Sequence, residues 1–151
     1  ENVIFASPDA GGTERVRDYA KYFDCEFVIC DKTREKANEV KSVEVIGEVK
    51  NKDVIIVDDL IDTGGTIAMA SNVIMDKGAK SVRAIITHPV LSGNAEENLE
   101  NSSLIELVVT DSIPLNIRNK KIKVLSIAGL FAKAIRKIHE NESTSSLFIN
   151  R

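Results

Sequence analysis

The stretch of this sequence with the clearest capacity for chemistry is a pair of adjacent carboxylates followed by a glycine-rich turn. It reads VIIVDDLIDTGGTI over residues 54–67. Asp58 and Asp59 come directly after a β-branched apolar run, and Gly64 and Gly65 follow a few residues later. Glycines let the backbone turn tightly, and successive amides at the start of a helix suit a phosphate dianion. The pattern therefore predicts a phosphate cradle with a site for a sugar diol or Mg²⁺ beside it.

This stretch also fits two other interpretations. One is a surface turn whose acidic residues serve solubility, although strand, paired acids, glycines and helix follow in the order that a phosphate site requires. The other is the acidic strand of a P-loop nucleotide hydrolase, because VIIVDD suits that role as well. The sequence contains no Walker A motif and no G-x-G-x-x-G, which argues against P-loop and dinucleotide-binding folds.

Two further stretches carry groups that suit phosphates. SPDAGG at residues 7–12 again joins an apolar run to a helical pattern through glycines, which predicts a second anion cradle in which Asp9 holds a metal. A plain strand-to-helix turn is the alternative. Lys32 and Arg34, in the polar segment 31–40, supply two cations that suit a phosphoryl group in transfer. A solvated charged loop is the alternative for that segment.

Short apolar runs that alternate with amphipathic stretches predict the elements that position these motifs. Strands are expected over residues 3–6, 27–30, 43–46, 54–57, 82–87, 107–110 and 122–127. Helices are expected over residues 13–23, from the glycine turn to about residue 77, and over residues 128–139. This alternation predicts an α/β domain with a mainly parallel sheet flanked by helices. Ligands of such sheets bind beyond the carboxyl ends of the strands, where the candidate motifs fall.

The same patterns predict three local features. Segment 31–40 is polar and rich in lysine, which predicts a mobile loop. Gly78 follows the second helix and is expected to cap its C-terminus. The closing helix is expected to turn its apolar side chains inward, namely Leu130, Phe131, Ala134, Ile135 and Ile138.

Length, charge and hydropathy limit the class of protein. The 151 residues suit one domain, and 20 basic against 23 acidic residues give a net charge of −3. This balance gives no basis for a nucleic-acid coat or a membrane-surface patch. There is no signal-peptide layout and no membrane-length apolar run, so we expect a cytoplasmic protein that binds neither nucleic acid nor membrane. The chain starts at Glu1 without a methionine and an apolar run begins at Val3, which predicts a piece of a longer protein.

The sequence resembles a known enzyme family. VIIVDDLIDTGGTI resembles the ribose-5-phosphate-binding signature that type I phosphoribosyltransferases share with ribose-phosphate pyrophosphokinases, the PRPP synthetases. Further stretches resemble the pyrophosphokinases in particular: SPDAGG at 7–12, DKTREKANEV at 31–40, THPVLSG at 87–93, NSSLIELVVTDSIPL at 101–115 and IHENESTSSLF at 138–148. The similarity covers essentially all 151 residues in order, which is far more specific than one shared motif.

The resemblance implies a fold, an activity and an architecture. It implies a type I phosphoribosyltransferase-like fold, and transfer of the pyrophosphoryl group of Mg-ATP to the C1 hydroxyl of ribose 5-phosphate. The products are PRPP, a precursor for nucleotide biosynthesis, and AMP. Residues 1–151 would form the C-terminal, ribose-5-phosphate-binding domain, and a missing N-terminal half of the same fold would supply most of the adenine site. The isolated domain is then expected to be inactive, and the full-length enzyme to be a homo-oligomer, typically a hexamer.

The resemblance also implies roles for individual residues. The ribose-5-phosphate loop corresponds to Asp62, Thr63, Gly64, Gly65 and Thr66, and the pyrophosphate-side loop to Asp9, Ala10, Gly11 and Gly12. Asp58 and Asp59 would hold the ribose hydroxyls, and the cofactor Mg²⁺ is expected at Asp9, Asp58 and Asp59. Lys32 and Arg34 match the basic pair of the family's flexible catalytic loop, although Thr33 and Glu35 interrupt a run that is more basic in many members.

Two other functions stay open on the sequence. A base-specific phosphoribosyltransferase would consume PRPP, but such enzymes usually carry a hood segment for the base, and none is found here. A non-catalytic regulatory homologue would use the fold for assembly with active subunits. The presence of both basic residues and of the acid pair argues against that second alternative.

Overall fold

The structure is a computed structural model that describes residues 2–36 and 39–148, and within residues 32–42 it describes at most the backbone. In these ranges the strands are β1 (Val3–Ser7), β2 (Phe27–Lys36), β3 (Glu39–Ile46), β4 (Asp53–Ile61), β5 (Ser81–Pro89), β6 (Glu106–Thr110) and β7 (Ile122–Leu125). The helices are α1 (Thr13–Phe23), α2 (Gly65–Asp76), α3 (Ala95–Glu100) and α4 (Ala128–His139), with 3₁₀ turns at Ala10–Gly12 and Ser145–Leu147. None of the helices in the described ranges combines the length and apolarity needed to cross a lipid bilayer.

The strands form one sheet in the order β3-β2-β1-β4-β5-β6-β7. Neighbouring strands are parallel except β2 and β3, which are antiparallel. This confirms the predicted α/β fold with a mainly parallel sheet. β1 lies between β2 and β4, so the chain leaves β1 toward one edge of the sheet and later returns to build the other. The carboxyl ends of β1 and β4 therefore border a topological switch point, where open α/β sheets bind ligands.

Apolar residues of the central strands form the core together with the helix that follows β4. Ile56 of β4 and Ala84 of β5 are fully buried. From α2, Ile67 and Ile74 are buried against them in the same cluster. Burial alternates along β4 and β5, so one face of these strands packs against the core while residues of the other face, such as Ile85, are partly exposed.

The end of α2 confirms the prediction made for Gly78. This residue adopts φ +88° directly after the C-cap residue, Lys77. Its amide donates to the carbonyl of Met75 over 2.9 Å, and the amide of Ala79 donates to the carbonyl of Ile74 over 3.3 Å. These two bonds form a Schellman motif, which needs a left-handed residue at the position of Gly78.

Residues 31–36 and 39–40 form strands rather than the loop that the polar composition of segment 31–40 predicts, and residues 37–38 lie outside the described residues. β2 continues to Lys36 and β3 begins at Glu39, and the two strands pair antiparallel as a ribbon at one edge of the sheet. The third strand thus begins four residues before Val43, where the apolar pattern places it. Backbone amides and carbonyls alone make this ladder, so a polar sequence can form it without an apolar signal.

The strand that carries the acid pair is longer than its apolar run. β4 extends to Ile61, so Asp58 and Asp59 lie within the strand rather than after it. Its pairing with β5 reaches Ile61 opposite Pro89, whereas its pairing with β1 ends at Ile56. The neighbouring β5 keeps this polar part of β4 extended, a tertiary effect that the apolar pattern does not contain.

A short helix, α3, was not predicted. It spans Ala95–Glu100 and buries Ala95 and Leu99. Six residues make fewer than two helical turns, so the apolar periodicity that identifies longer helices cannot develop. The helix matters because it lies against the glycine-rich turn.

The closing helix forms where it was predicted, but its apolar face does not turn inward. The side chains are largely exposed, at 48% for Leu130, 57% for Phe131, 64% for Ile135 and 66% for Ile138, and Ala134 is half-buried. Amphipathic periodicity identifies an apolar face without specifying which surface covers it. The inward orientation was therefore wrong for this chain, and the face stands open to another partner.

Candidate functional site

The glycine-rich turn lies at the carboxyl end of β4, where that strand leads into α2. Gly64 is the N-cap of α2 and adopts φ +74°, a conformation that favours glycine. A Cβ at this position would lie 3.6 Å from the carbonyl oxygen of Ala95 and 3.7 Å from the Cβ of Asn98. Gly64 has no side chain to cap the helix, so the positive end of the α2 dipole faces the turn. This arrangement suits an anion.

The turn is held by the loop that follows β5 and by α3. Ser92 Oγ donates a short hydrogen bond to the carboxylate of Asp62, and the amide of Ser92 donates to the carbonyl of Asp62 over 3.1 Å. The side chain of Asn98 donates to the carbonyl of Thr63 over 2.8 Å. Sequence reasoning missed Ser92 and Asn98. For Ser92 a signal was available, because THPVLSG, which contains it, resembles a stretch of the pyrophosphokinase family.

The acid pair of β4 is engaged by an arginine that sequence reasoning also missed. Arg15 Nη1 donates to Asp58 Oδ1 and Arg15 Nη2 donates to Asp59 Oδ2, each over 2.7 Å. The side chain of Asp59 is 63% exposed and that of Asp58 is 20% exposed. One positive charge therefore faces two negative ones at an accessible strand end. An arginine in the first turn of a helix, where the dipole disfavours a cation, was the signal that could have identified it.

The groups around Asp58 shift its pKa in opposite directions. Partial burial raises the pKa of Asp58, and the neighbouring carboxylate of Asp59 contributes to the rise. The backbone amide of Asp59, which donates to Asp58 Oδ1 over 2.9 Å, and the guanidinium of Arg15 act in the opposite direction. The pair thus gains from a cation or from hydrogen-bond donors such as sugar hydroxyls.

The turn after β1 is built around a buried serine. Ser7 is fully buried, and its Oγ donates to the carbonyl of Asp9 over 2.6 Å. The amide of Gly12 donates to the carboxylate of Asp9 over 3.3 Å and closes the turn. A Cβ at Gly12 would lie only 2.5 Å from Ser7 Oγ, so a larger residue there would force the Ser7 side chain or the turn to shift. Ala10 and Gly11 are exposed at the tip of the turn.

Arg15 connects this turn with the acid pair. A Cβ at Gly12 would lie 3.5 Å from Arg15 Nη1, so the guanidinium lies beside the start of α1. The same guanidinium reaches Asp58 and Asp59 on β4. Since β1 and β4 are neighbours in the sheet, the first turn and the acid pair face each other across the switch point. The structure therefore brings these two predicted motifs together.

The predicted basic pair belongs to β2. The backbone of Lys32 pairs with Val43, and that of Arg34 pairs with Val40. The side chains of Lys32 and Arg34 lie outside the described residues. Their position relative to the two turns stays a prediction.

Mg²⁺ fits the donor set at this strand end. Mg²⁺ is usually bound by one or two carboxylates, with phosphate oxygens of the substrate and water completing its shell. Asp58 and Asp59 supply two adjacent carboxylates beside turns that suit phosphates, and Asp9 lies on the neighbouring turn after β1. Among the side chains that the structure describes, no group of three or more His, Cys, Asp or Glu is arranged to hold a metal ion, so a role for Asp9 beside the acid pair stays a prediction.

Comparisons with known proteins identify the family of this chain. Residues 16–149 match the family described as the phosphoribosyl synthetase-associated domain. The chain is 53% identical over 149 residues to a ribose-phosphate pyrophosphokinase of Campylobacter jejuni, covering 99% of this chain and 48% of that protein. It thus spans about half the length of the curated relatives that it matches.

The chain is also similar to solved structures. The phosphoribosylpyrophosphate synthetase of Mycobacterium smegmatis superposes with a TM-score of 0.85 at 38% identity, covering 93% of this chain and 46% of that one. An adenine phosphoribosyltransferase superposes with a TM-score of 0.52 at 19% identity, covering 72% of this chain and 66% of that one. The second likeness is one of fold alone.

Proposed function

Because this chain belongs to the phosphoribosyl synthetase-associated domain family, we propose that it is the C-terminal, ribose-5-phosphate-binding domain of a ribose-phosphate pyrophosphokinase. The complete enzyme would act in the cytoplasm and convert ribose 5-phosphate and Mg-ATP into PRPP and AMP for nucleotide biosynthesis. The observation that supports this most is the meeting of two glycine turns and an acid pair at one switch point of the sheet.

Ribose 5-phosphate would bind with its phosphate in the turn of residues 62–66. The amides at the start of α2 and the hydroxyls of Thr63 and Thr66 are the donors that a phosphate requires. Asp58 and Asp59 precede the turn on β4 and would accept hydrogen bonds from the ribose hydroxyls. Holding the sugar at both ends would orient its C1 hydroxyl, which is where most of the catalytic advantage of such a site arises.

The proposed reaction needs no nucleophile from the protein. The oxygen of the C1 hydroxyl bonds to the β-phosphorus of ATP, the bond from that phosphorus to the α,β-bridging oxygen breaks, AMP leaves, and the hydroxyl proton is released. The protein would act by positioning and by charge. The turn of residues 9–12 would hold the pyrophosphoryl group, and Lys32 and Arg34 would neutralise its negative charge.

Mg²⁺ would be held by the carboxylates of Asp9, Asp58 and Asp59 together with substrate oxygens. When bound, it supplies positive charge that offsets the repulsion between phosphate groups and carboxylates. The carboxylates of this chain orient the ion relative to the sugar, and this role explains why acids lie next to turns that attract anions.

The rest of the protein would complete the site. An N-terminal half of the same fold would supply most of the adenine site, and the complete enzyme would assemble as a homo-oligomer, with a hexamer expected. The open apolar face of α4, with Phe131 and Ile135 more than half exposed, supports a neighbour that this chain lacks. The isolated domain is accordingly expected to bind ribose 5-phosphate without turnover.

Calorimetry tests the sugar site directly in the 151-residue chain. Ribose 5-phosphate is expected to bind in the presence of Mg²⁺, and Thr63→Val is expected to weaken binding about tenfold, because a hydrogen bond to a charged phosphate is lost. Thr144→Val makes the same chemical change in the C-terminal segment and should bind like the wild type. Absence of binding by the wild-type chain would contradict the proposed cradle.

Turnover is tested in the complete enzyme. We expect AMP formation from ATP to depend on ribose 5-phosphate, and Asp58→Ala and Lys32→Ala to lose most of the activity. Wild-type rates in both variants would refute the site assignment. Consumption of PRPP with a purine or pyrimidine base would instead indicate a phosphoribosyltransferase, and normal assembly without any turnover would indicate a regulatory homologue.

A further inference from the structure

The acid pair proposed to receive ribose hydroxyls and Mg²⁺ already has a partner within the chain. Each of the two terminal nitrogens of Arg15 donates to one carboxylate, at 2.7 Å to Asp58 and 2.7 Å to Asp59. The guanidinium thus spans the two residues, as a cation shared between them would. Asp58 Oδ1 also accepts from the amide of Asp59, so the oxygen facing Arg15 has two donors in this state.

Arg15 stands at the end of its helix that disfavours a cation. It is the third residue of α1, and the first turn of a helix carries the positive end of the dipole. The side chain of Arg15 is about one-third exposed, at 32%, so burial does not confine it there. The two carboxylates are therefore the main attraction that keeps it at the switch point.

We propose that Arg15 is a resident counter-ion that competes with external ligands for Asp58 and Asp59, and so sets the affinity of the pair for divalent cations and ribose hydroxyls. A guanidinium and a divalent cation on the same two carboxylates repel each other, because the charges lie only a few ångströms apart. Ligand binding therefore displaces Arg15 from at least one carboxylate. The side chain has enough rotatable bonds to move while α1 stays in place.

The displaced guanidinium would remain close to the turn after β1. Its Nη1 already lies near Gly12, 3.5 Å from where a Cβ of that residue would be. A guanidinium that gives up carboxylates gains donors for phosphate oxygens, its other preferred partner. Arg15 thereby couples occupation of the acid pair to the presence of a positive charge beside the proposed pyrophosphate turn.

This inference rests on the proposed function for the identity of the ligands, but its test does not need turnover. Mn²⁺ binding to the 151-residue chain is followed by electron paramagnetic resonance of the unbound ion, with Mg²⁺ as competitor. Arg15→Gln removes the internal competitor and is expected to tighten Mn²⁺ binding about tenfold, since the attraction it removes is that of an ion pair. Arg17→Gln makes the same charge change at an exposed position of α1 and should alter the affinity less than twofold.

Two further variants identify where the ion binds. Arg15→Lys keeps the charge but cannot span both carboxylates, so its Mn²⁺ affinity should lie between those of the wild type and Arg15→Gln. Adding Asp58→Asn to Arg15→Gln should abolish the gain. If Arg15→Gln does not fold, as judged by circular dichroism, Arg15→Lys decides the question, and a wild-type affinity in that variant overturns the proposal.

The outcomes separate this inference from the proposed function. Unchanged or weaker Mn²⁺ binding in folded Arg15→Gln, or no Mn²⁺ binding in any variant, overturns the role of Arg15 as a competitor even where ribose 5-phosphate binds normally. Tighter Mn²⁺ binding in Arg15→Gln that requires Asp58 supports that role, even if ribose 5-phosphate fails to bind and the proposed function is lost.

Discussion

The side-chain amide of Asn98 donates to the backbone carbonyl of Thr63 over 2.8 Å, so a helix that follows β5 holds the turn that follows β4. α3 is itself fastened at its far end, because Lys121 Nζ donates to the carbonyls of Leu99 over 2.6 Å and Ser102 over 2.9 Å. The glycine-rich turn is thus positioned by residues far along the chain. Its shape does not depend on its own sequence alone.

Asn98→Ala is expected to weaken ribose 5-phosphate binding about fivefold, because loss of a hydrogen bond worth about 1 kcal/mol lets the turn move away from its binding shape. Calorimetry of the chain gives the affinity. Asn101→Ala, at the exposed C-cap of α3, is the matched control and should bind as the wild type does. Equal affinity in both variants would show that Asn98 does not position the turn.

Gly12→Ala is expected to destabilise the chain by about 1–3 kcal/mol, the usual cost of forcing an extra methyl group into a packed site. The new Cβ would lie 2.5 Å from Ser7 Oγ, whose own hydrogen bond to Asp9 shapes the turn. Adding Ser7→Ala should recover part of the lost stability, since it removes the clashing atom. The free energy of unfolding is measured in urea.

Gly129→Ala provides the contrast for that experiment. Nothing lies within 4 Å of a Cβ at Gly129, which is inside α4. The substitution is expected to stabilise the helix by about 0.5–1 kcal/mol, because alanine loses less backbone freedom on folding. Similar unfolding midpoints for Gly12→Ala and Gly129→Ala would mean that the turn after β1 accommodates the extra methyl group without loss of stability.

Asp53, at the start of β4, makes the stability of the fold depend on pH. Its carboxylate accepts from Ser81 Oγ over 2.5 Å and from Lys80 Nζ over 3.3 Å, and these bonds, that of Ser81 first, hold the pKa of Asp53 below its ordinary value. A lowered pKa stabilises the fold above the unfolded pKa, and the contribution disappears as pH falls through the lowered value. At neutral pH the Asp53→Asn variant should therefore unfold at a lower urea concentration than the wild type. The difference between the two urea midpoints should vanish at acidic pH.

Ser81→Ala checks the cause of this pH dependence. It removes the partner with the largest effect on Asp53 and leaves Lys80 in place. The urea midpoint of this variant should fall less steeply on acidification than that of the wild type. A profile as steep as that of the wild type would assign the acid sensitivity to other carboxylates.

The double substitution Phe131→Ser and Ile135→Ser on α4 should leave the stability of this chain within about 1 kcal/mol of the wild type, since both side chains are already mostly exposed. It should also reduce self-association in sedimentation experiments, because an open apolar face is removed. Leu107→Ala, at a fully buried position of β6, is the contrasting variant and should lose about 2–5 kcal/mol. A loss of about 2–5 kcal/mol in the α4 double variant would show that its apolar face is buried within the fold.

The parts of the structure that the sequence predicts are those governed by local pattern. A run of β-branched residues that leads into glycines is typical of a buried strand that meets a tight turn, so the apolar part of β4, the turn and the start of α2 followed from the sequence pattern. Gly78 was equally predictable, because a left-handed position after a helix selects for glycine. The acid pair was recognised because it stands between a β-branched run and a glycine turn, in the order that a phosphate site requires.

The parts that the sequence does not predict depend on contacts between distant segments. Arg15 gives no sign in a helical pattern of where its guanidinium goes, and its partners lie more than forty positions away. The ribbon of β2 and β3 is made by backbone bonds that polar side chains do not reveal. The exposure of the α4 face depends on what packs against that helix, which the periodicity within one helix does not encode.

The unequal pairing of β4 has a consequence for measurement. β4 pairs with β5 as far as Ile61, but with β1 only as far as Ile56. Backbone amides alternate in direction along a strand, so beyond Ile56 those pointing toward β5 are protected from exchange with deuterium. Those pointing toward β1 lack a strand partner, and that of Asp59 bonds the carboxylate of Asp58 instead. A ligand in that gap would slow their exchange. The unmodified chain therefore carries its own reporter of site occupancy, readable by hydrogen exchange without substitution or label.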